Sequence, residues 1–302
     1  MKTAGKTSPT LSIATFNAGL LKVTFAGLSV FEFTPFTEER LRAIPHALTL
    51  LDCDVICLQE VYDERSAKLI RKALEKSHPF WYRQPTRRMV LVGNGLMVLS
   101  RFELTGMGLR VFRAQMIDER LFAPRAMMYA RIQVPHFGTI GIYNVHLTAG
   151  GAFHHPEAVK SDEIRTRQVE ELIEHAGANG LDVQIMAGDF NCGSNISTEP
   201  YSRIPQAGYS DAPSIAKGRE IDEWITWDPA NPLNRECPHK TSPPQRIDHV
   251  FIKTKALEHL TILDAGLILS QPQVAIQGKK PVSLSDHVGI QVRFGCSDSL
   301  PS

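Results

Sequence analysis

The tetrapeptide Gly188-Asp189-Phe190-Asn191 follows directly on the apolar run at 183–187, and it constrains the fold more than any other feature of the sequence. A short buried strand that ends on a carboxylate and a carboxamide directs two oxygen-bearing side chains to one place. The glycine allows another group to approach the backbone closely. Asp and Asn also favour ordinary turns after strands, so this segment needs support from elsewhere in the chain.

Four other segments repeat this arrangement, in which an apolar stretch ends in polar residues; they occupy 15–17, 55–60, 142–146 and 284–287. Because these polar ends run from Asn17 to His287, a single site would draw on nearly the whole chain. With 43% hydrophobic residues, the composition provides an ample core for one large domain. The sequence therefore predicts one domain at 11–295, with tails at 1–10 and 296–302.

Hydrophobic periodicity predicts the secondary structure. Apolar residues at helical spacing predict helices at 38–51, 63–76 and 161–176, the last ending at Gly177. Apolar or alternating runs predict strands at 11–17, 54–59, 96–99, 127–134, 139–145, 183–187, 249–253 and 288–294, and residues 190–246 are expected to be irregular. Many strands with few helices, joined mostly by short turns, predict two packed sheets with helices outside them.

The polar ends of the strands indicate hydrolysis of a phosphate ester. That reaction requires charge neutralisation, an activated water and help for the leaving oxygen. Glu60 ends a nearly all-apolar strand and, with Asn17 beside it, is the best candidate to bind Mg²⁺, or else Mn²⁺. His146 and His287 end or follow strands; Asp286 directly precedes His287, and Asp248 offers a second carboxylate. Histidines oriented in this way protonate phosphoryl oxygen or take a proton from water.

Charge and cysteine content restrict the partners and the compartment. The chain has 33 basic and 32 acidic residues, so it has no overall attraction for nucleic acid, which is a less favoured substrate. Its five cysteines are an odd number without metal-type spacing, as in an intracellular protein with reduced thiols. The sequence has no signal peptide and no stretch that could span a bilayer. We therefore expect a cytoplasmic protein, and a monomer.

Six short motifs, in this order along the chain, resemble those of the endonuclease/exonuclease/phosphatase superfamily, which is typified by pancreatic deoxyribonuclease. They cover nearly the whole sequence and are Phe16-Asn17, Leu58-Gln59-Glu60, Asn144-Val145-His146-Leu147, Gly188-Asp189-Phe190-Asn191, Arg246-Ile247-Asp248 and Ser285-Asp286-His287. The resemblance implies an α/β fold, a four-layer α/β/β/α sandwich of two mostly antiparallel sheets flanked by helices. It also implies divalent-metal-dependent cleavage of a phosphate ester.

The resemblance further implies a role for each matching residue. Asn17 and Glu60 match the metal-binding positions. His146 matches a histidine that contacts the scissile phosphate, with Asp248 as its carboxylate partner.

The remaining matches concern the nucleophile and the last motif. Asp189 and Asn191 match a pair that positions the nucleophilic water and the phosphate. Asp286 and His287 match an acid–histidine pair in which the histidine acts as a base or as a phosphate ligand.

The segment at 226–233 resembles the Thr-Trp-Asp…Asn segment of the sphingomyelinase-like branch, which implies that Trp227 and Asn231 bind substrate. A long extension between Asn17 and Glu60 also resembles that branch. In contrast, His249 stands where the family usually has tyrosine, and the chain lacks the signal peptide of secreted sphingomyelinases. The expected substrate is a phospholipid at a membrane surface or a small phosphodiester, with DNA as the alternative. The intact set of site residues argues against a catalytically inactive scaffold.

Residues 20–36 alternate apolar and polar side chains around a central glycine, which predicts a hairpin with an apolar face. This face either packs on the core or is exposed near the site, where Phe31 and Phe33 would contact lipid.

Overall fold

The structure is a computed structural model that describes residues 9–25, 28–85, 92–149, 158–237 and 239–296. One six-stranded sheet consists of β1 Thr10–Asn17, β4 Val55–Gln59, β5 Phe80–Tyr82, β6 Met97–Ser100, β13 Leu260–Ile268 and β14 Gly289–Cys296. Its strand order is β13-β14-β1-β4-β6-β5. We call it the first sheet.

The second sheet also has six strands, which are β7 Leu104–Val111, β8 Ala126–Val134, β9 Gly138–His146, β10 Val183–Asp189, β11 Tyr209–Asp211 and β12 Asp248–Lys253. Its order is β11-β12-β10-β9-β8-β7. In each sheet one central pair is parallel, β1 with β4 and β9 with β10, and the other pairs are antiparallel. The predicted pair of mostly antiparallel sheets is therefore confirmed.

Helices flank the two sheets. They are α1 Thr37–Thr49, α2 Glu64–Leu74, α3 Ile117–Phe122, α4 Ala158–Ala178, α5 Thr198–Gln206 and α6 Ala212–Lys217. The strand β1 shows how the layers form, because Leu11 and Ile13 enter the core between the sheets while Ala14 and Phe16 enter the core under the helices. A strand that is buried on both faces has a continuous apolar sequence, which explains the runs seen before each polar junction.

Some elements differ from the prediction. Residues 190–246, expected to be irregular, contain α5, β11 and α6, and α4 continues through Gly177 to Ala178. The sequence also missed β7 and β13, which are edge strands with mixed burial and therefore lack an apolar run. No helix within the described ranges is long and apolar enough to cross a membrane.

The expected hairpin within residues 20–36 is present as β2 Lys22–Phe25 paired with β3 Leu28–Glu32. The side chains of residues 23–31, including Phe31, lie outside the described part of the structure. Phe33 is half-buried and packs against the cluster of Trp227, Cys237 and Ile247. At this position the hairpin therefore packs on the body of the protein, and contact of the remaining side chains with lipid stays a prediction.

Candidate active site

Three site residues form a row across the second sheet. The parallel register of β9 and β10 places His146 beside Asp189, and the antiparallel register of β10 and β12 places Asp248 on the other side of Asp189. The Nε2 atom of His146 lies 3.6 Å from Oδ2 of Asp189. The strand order therefore puts the carboxylate of Asp189 at the centre of the row.

The first sheet contributes Asn17 and Glu60 from the ends of its two parallel strands. Asn17 donates from Nδ2 to Oε1 of Glu60 at 3.3 Å and to Oδ2 of Asp189 at 3.0 Å, which joins the two sheets. Directly below, Gln59 donates from Nε2 to Oδ1 of Asn144 at 2.7 Å in the buried layer between the sheets. Satisfied buried polar contacts of this kind fix the relative position of the two strand ends.

The loop before β14 brings in the last motif. The Nδ1 atom of His287 lies 2.8 Å from Oδ2 of Asp248, while its Nε2 atom lies 3.8 Å from Oδ2 of Asp189. A backbone bridge between Trp227 and His287 holds this loop against the second sheet. One water molecule or phosphate oxygen could therefore contact both His287 and Asp189.

The expected pairing of carboxylates with histidines is wrong. Asp248 pairs with His287 and not with His146, because Asp189 stands between Asp248 and His146 in the row of strands. Asp286 does not orient His287 either. Its Oδ1 atom accepts from the hydroxyl of Ser285 at 3.1 Å and faces the backbone of Gly19, on the side of the site that belongs to the first sheet.

Several residues at the site adopt backbone conformations that are rare for their type. Glu60 has φ of 58° and Asn191 has φ of 50°, both in the left-handed region. Gly188 has φ of 150°, and a Cβ atom there would lie 2.1 Å from the carbonyl oxygen of Val145. The glycine of the Gly-Asp-Phe-Asn segment therefore allows β9 and β10 to approach closely. Such conformations concentrate at functional sites, where the surrounding structure holds them.

The buried carboxyl groups repel one another. Burial and the charge of Asp248 raise the pKa of Asp189 to about 7. Burial and the charge of Asp286 likewise raise the pKa of Glu60, whose side chain keeps 16% exposure. Each raised pKa shows that negative charge is unfavourable at this place unless a cation compensates for it.

The two histidines are shifted in opposite directions. Although burial lowers the pKa of His287, the charges of Asp248, Asp189 and Asp286 raise it well above its ordinary value. Burial lowers the pKa of His146 well below its ordinary value, and the charge of Arg125 adds to this. His287 is therefore the cationic histidine at neutral pH, and His146 is neutral.

Arg125 is a site residue that the sequence analysis missed. Its Nη1 atom lies 2.9 Å from Nδ1 and 2.5 Å from Nε2 of His146, and its Nε donates to Oε1 of Glu119 at 3.0 Å. A guanidinium has no acceptor, which is consistent with a neutral imidazole beside it. The signal was present in the predicted hairpin of β8 and β9, because a register that pairs Val134 with Gly138 also pairs Ala126 with His146.

The remaining predicted site residues, Asn191, Trp227 and Asn231, contact other parts of the protein around the site. Asn191 donates from its backbone N–H to Oδ1 of Asp189 at 3.0 Å, and from Nδ2 to the carbonyl of Leu147 at 3.0 Å. Trp227 is only 6% exposed, and Asn231 donates to the carbonyl of Ser285 at 3.2 Å. Trp227 and Asn231 thus support the loop that bears His287, and their contact with substrate stays a prediction.

The donor set fits a divalent cation. Oxygen atoms are the ligands that Mg²⁺ and Ca²⁺ prefer, and Glu60 offers a carboxylate whose pKa is raised by burial and by the charge of Asp286. The Oδ1 atom of Asn17 accepts from Gly19 and keeps a second lone pair. A second group, formed by Asp189, Asp248 and His287, has ligand atoms within 4.8 Å of one another. The two groups are adjacent, because Asn17 donates a hydrogen bond to Asp189.

The sequence profile of the endonuclease/exonuclease/phosphatase family matches residues 14–287. The chain belongs to this family. It is accordingly an enzyme, a metal-dependent hydrolase of phosphoric diesters. No curated protein sequence matches the chain significantly.

Solved structures share the fold of this family member across nearly the whole chain. Sphingomyelinase C from Streptomyces griseocarneus matches with a TM-score of 0.73 at 18% identity, covering 95% of this chain and 99% of that one. A mutant of beta toxin from Staphylococcus aureus with bound magnesium ions matches at 0.74 with 15% identity, covering 95% and 99%. Humanized D. rerio TDP2 matches at 0.66 with 17% identity, again covering 95% and 99%. At these identities the likeness concerns the fold.

Proposed function

We propose that this protein is an Mg²⁺-dependent phosphodiesterase that cleaves a phospholipid or a small phosphodiester by attack of water. The observation that carries the proposal is the meeting of Glu60, Asp189 and the Asp248–His287 pair at one buried place between the two sheets. Such a place combines cation ligands with a proton acceptor and a positively charged donor. These are the groups that hydrolysis of an anionic diester requires.

We assign the metal to Asn17 and Glu60. The alternative group contains Asp248 and His287, whose 2.8 Å hydrogen bond a shared metal would have to break. When bound, Mg²⁺ neutralises charge on the phosphate oxygens.

The remaining residues act on water and phosphate. Asp189, with a pKa of about 7, accepts the proton of the attacking water. His287, kept cationic by Asp248, donates a hydrogen bond to a phosphate oxygen. Neutral His146 and the guanidinium of Arg125 contact the phosphate from the other end of the row.

The phospholipid substrate is supported by the likeness in fold to sphingomyelinase C, over 99% of that chain. DNA is the second candidate, because the family to which the chain belongs includes endonucleases and exonucleases. The balanced charge of this chain favours the first, since proteins that bind the phosphate backbone need a cationic surface.

A parallel assay tests the proposal. Purified protein is incubated with Mg²⁺ and, separately, with sphingomyelin vesicles, plasmid DNA, an abasic duplex and bis(p-nitrophenyl) phosphate, each with and without EDTA. We expect cleavage of the chromogenic diester and of the lipid, and none in EDTA. Cleavage of DNA with no action on lipid would select the nuclease instead.

Glu60→Gln tests the metal assignment in the same assay. It keeps the shape of the side chain and removes the charge, so we expect turnover to fall by orders of magnitude while the melting temperature changes little. Full activity of this variant, or of the wild type in EDTA, would contradict the assignment.

A further inference from the structure

The helix α3 exposes large apolar side chains to solvent. Ile117 is 78% exposed and Leu121, one turn later, is 59% exposed. Phe122 and Val111, at the end of the neighbouring strand β7, are each 44% exposed. We call these four residues the α3 face. Single exposed apolar residues are ordinary, but a group of four on adjoining elements marks an interaction surface.

The orientation of α3 is fixed from its opposite side. Glu119 is buried and accepts hydrogen bonds from Arg125 at 3.0 Å and from the hydroxyl of Thr148 at 2.7 Å. Its carboxylate also accepts from the backbone N–H of Ala149 and Met116. Polar contacts therefore hold the helix in place. Ile117 and Leu121, one turn apart on α3, remain mostly exposed to solvent.

The surroundings of the α3 face are suited to an anion. A depression of about 460 Å³ beside it is lined by Arg113, Arg120 and the carboxamides of Gln84 and Asn94, and none of its described lining residues is acidic. Arg120 is exposed, whereas Arg113, although 71% exposed, lies 3.5 Å from Glu171 and 3.7 Å from Glu174, so Arg120 has the less compensated charge of the two. Guanidinium groups at the rim of an apolar surface attract phosphate groups.

The same surface adjoins the active site. Arg125, which contacts His146, follows Pro124 in the wall of the depression. Asn94, which also lines the depression, precedes Gly95, whose carbonyl accepts from the N–H of Val61 next to Glu60. A surface held against the α3 face would thus lie near His146, at one end of the row, and near Glu60 of the first sheet.

We propose that the α3 face, with Arg113 and Arg120, is where this enzyme docks on an anionic phospholipid bilayer. Apolar side chains enter the boundary between headgroups and acyl chains, while arginines beside them contact anionic headgroups. The proposal rests on the proposed phospholipid substrate for its biological purpose, but bilayer binding itself can be measured without catalysis. Docking of another protein or of a second copy of this chain is the alternative that the test must exclude.

Vesicle co-sedimentation tests the proposal. The full chain is mixed with phosphatidylcholine vesicles with and without phosphatidylserine, and the bound fraction is measured. We expect Ile117→Ser with Leu121→Ser to lower the partition coefficient about tenfold or more, because the apolar area available for insertion falls. The matched control is Leu50→Ser with Leu263→Ser, which changes two side chains that are 72% and 51% exposed elsewhere on the protein, and it should bind as the wild type does.

A separate variant tests whether the exposed arginine contributes to vesicle binding. Arg120→Gln should weaken binding to vesicles that contain phosphatidylserine and leave binding to pure phosphatidylcholine unchanged, and added salt should have the same effect. Arg110→Gln, which removes a charge in β7 outside the depression, serves as its control.

Other results would overturn the proposal. The proposal is contradicted if the wild type binds no vesicle, or if the double serine variant binds vesicles as strongly as the wild type does. It is also contradicted if the wild type is a dimer in solution and the double serine variant is a monomer. Thermal melts verify that the variants are folded, and Ile117→Ser alone replaces the double variant if that one is not. Hydrolysis of bis(p-nitrophenyl) phosphate separates the two proposals. Loss of vesicle binding with intact hydrolysis concerns docking alone, whereas a wild type that hydrolyses no diester contradicts the proposed function.

Discussion

At the scale of single residues, the site separates its two histidines by protonation state. Asp248 keeps His287 cationic through a 2.8 Å contact, and burial together with the charge of Arg125 keeps His146 neutral. The carboxylate of Asp189 stands between them. A cationic and a neutral imidazole can bind different atoms of one phosphate, which two equivalent histidines could not do.

A double-mutant cycle tests the pairing of Asp248 with His287. We expect Asp248→Asn and His287→Ala each to lower kcat/KM for a soluble diester about a hundredfold to ten-thousandfold. Combined, they should lose far less than the product of the two effects, because the pair acts as a unit. Asp248→Asn combined with His146→Ala should be closer to multiplicative. The reverse pattern would restore the pairing of Asp248 with His146.

Arg125→Met tests the neutral state of His146. The charge of Arg125 lowers the pKa of His146, so its removal should raise that pKa and move the titration to higher pH. Imidazole NMR signals of the metal-free protein, followed against pH, measure the shift directly. Arg125→Lys keeps the charge and should move the pKa less. An unchanged pKa in the Met variant would show that burial alone keeps His146 neutral.

At the scale of elements, the close approach of β9 and β10 depends on Gly188. In Gly188→Ala the added Cβ would meet the carbonyl oxygen of Val145 at 2.1 Å, so we expect the free energy of unfolding to fall by more than about 1 kcal/mol. Gly177→Ala is the matched control, because it lies near the end of α4 with no atom within 4 Å of its Cβ. That variant should be as stable as the wild type or gain up to about 1 kcal/mol. Urea unfolding distinguishes the two.

The sequence predicted the elements that bear the site better than those that do not. β1, β4, β9 and β10 are buried on both faces, so their apolar runs marked them within two residues of their ends. The edge strands β7 and β13 have no such run and were missed.

The sequence did not predict which strands are neighbours in the second sheet, and therefore which site residues lie side by side. Asp248 lies next to Asp189 because β12 pairs with β10, a choice that no local pattern encodes. For the same reason the chain order of the motifs suggested the wrong partner for His287. Arg125 was missed because its role depends on the cross-strand register of a hairpin and on a buried Glu119 in α3.

At the scale of the whole molecule, the site places uncompensated negative charge where the two sheets meet. Burial raises the pKa of Asp189 from 3.8 to about 7, and Glu60 is shifted in the same direction. Between pH 3.8 and about pH 7, Asp189 of the metal-free protein is therefore protonated more in the folded state than in the unfolded state. The contribution of Asp189 to stability therefore declines as the pH rises through this window.

A bound cation should reverse that penalty, which makes the stabilising effect of Mg²⁺ dependent on pH. Under the proposed assignment the ion would bind deprotonated carboxylates, so saturating Mg²⁺ should raise the melting temperature more at about pH 8 than at about pH 5, where protons compete for the same groups. Glu60→Gln removes one ligand and should lose most of the shift at the higher pH. Differential scanning calorimetry with Mg²⁺ and with EDTA provides the comparison. Equal shifts at the two pH values, or an undiminished shift in the Gln variant, would mean that the cation binds elsewhere and that the carboxylates between the sheets are compensated by another group.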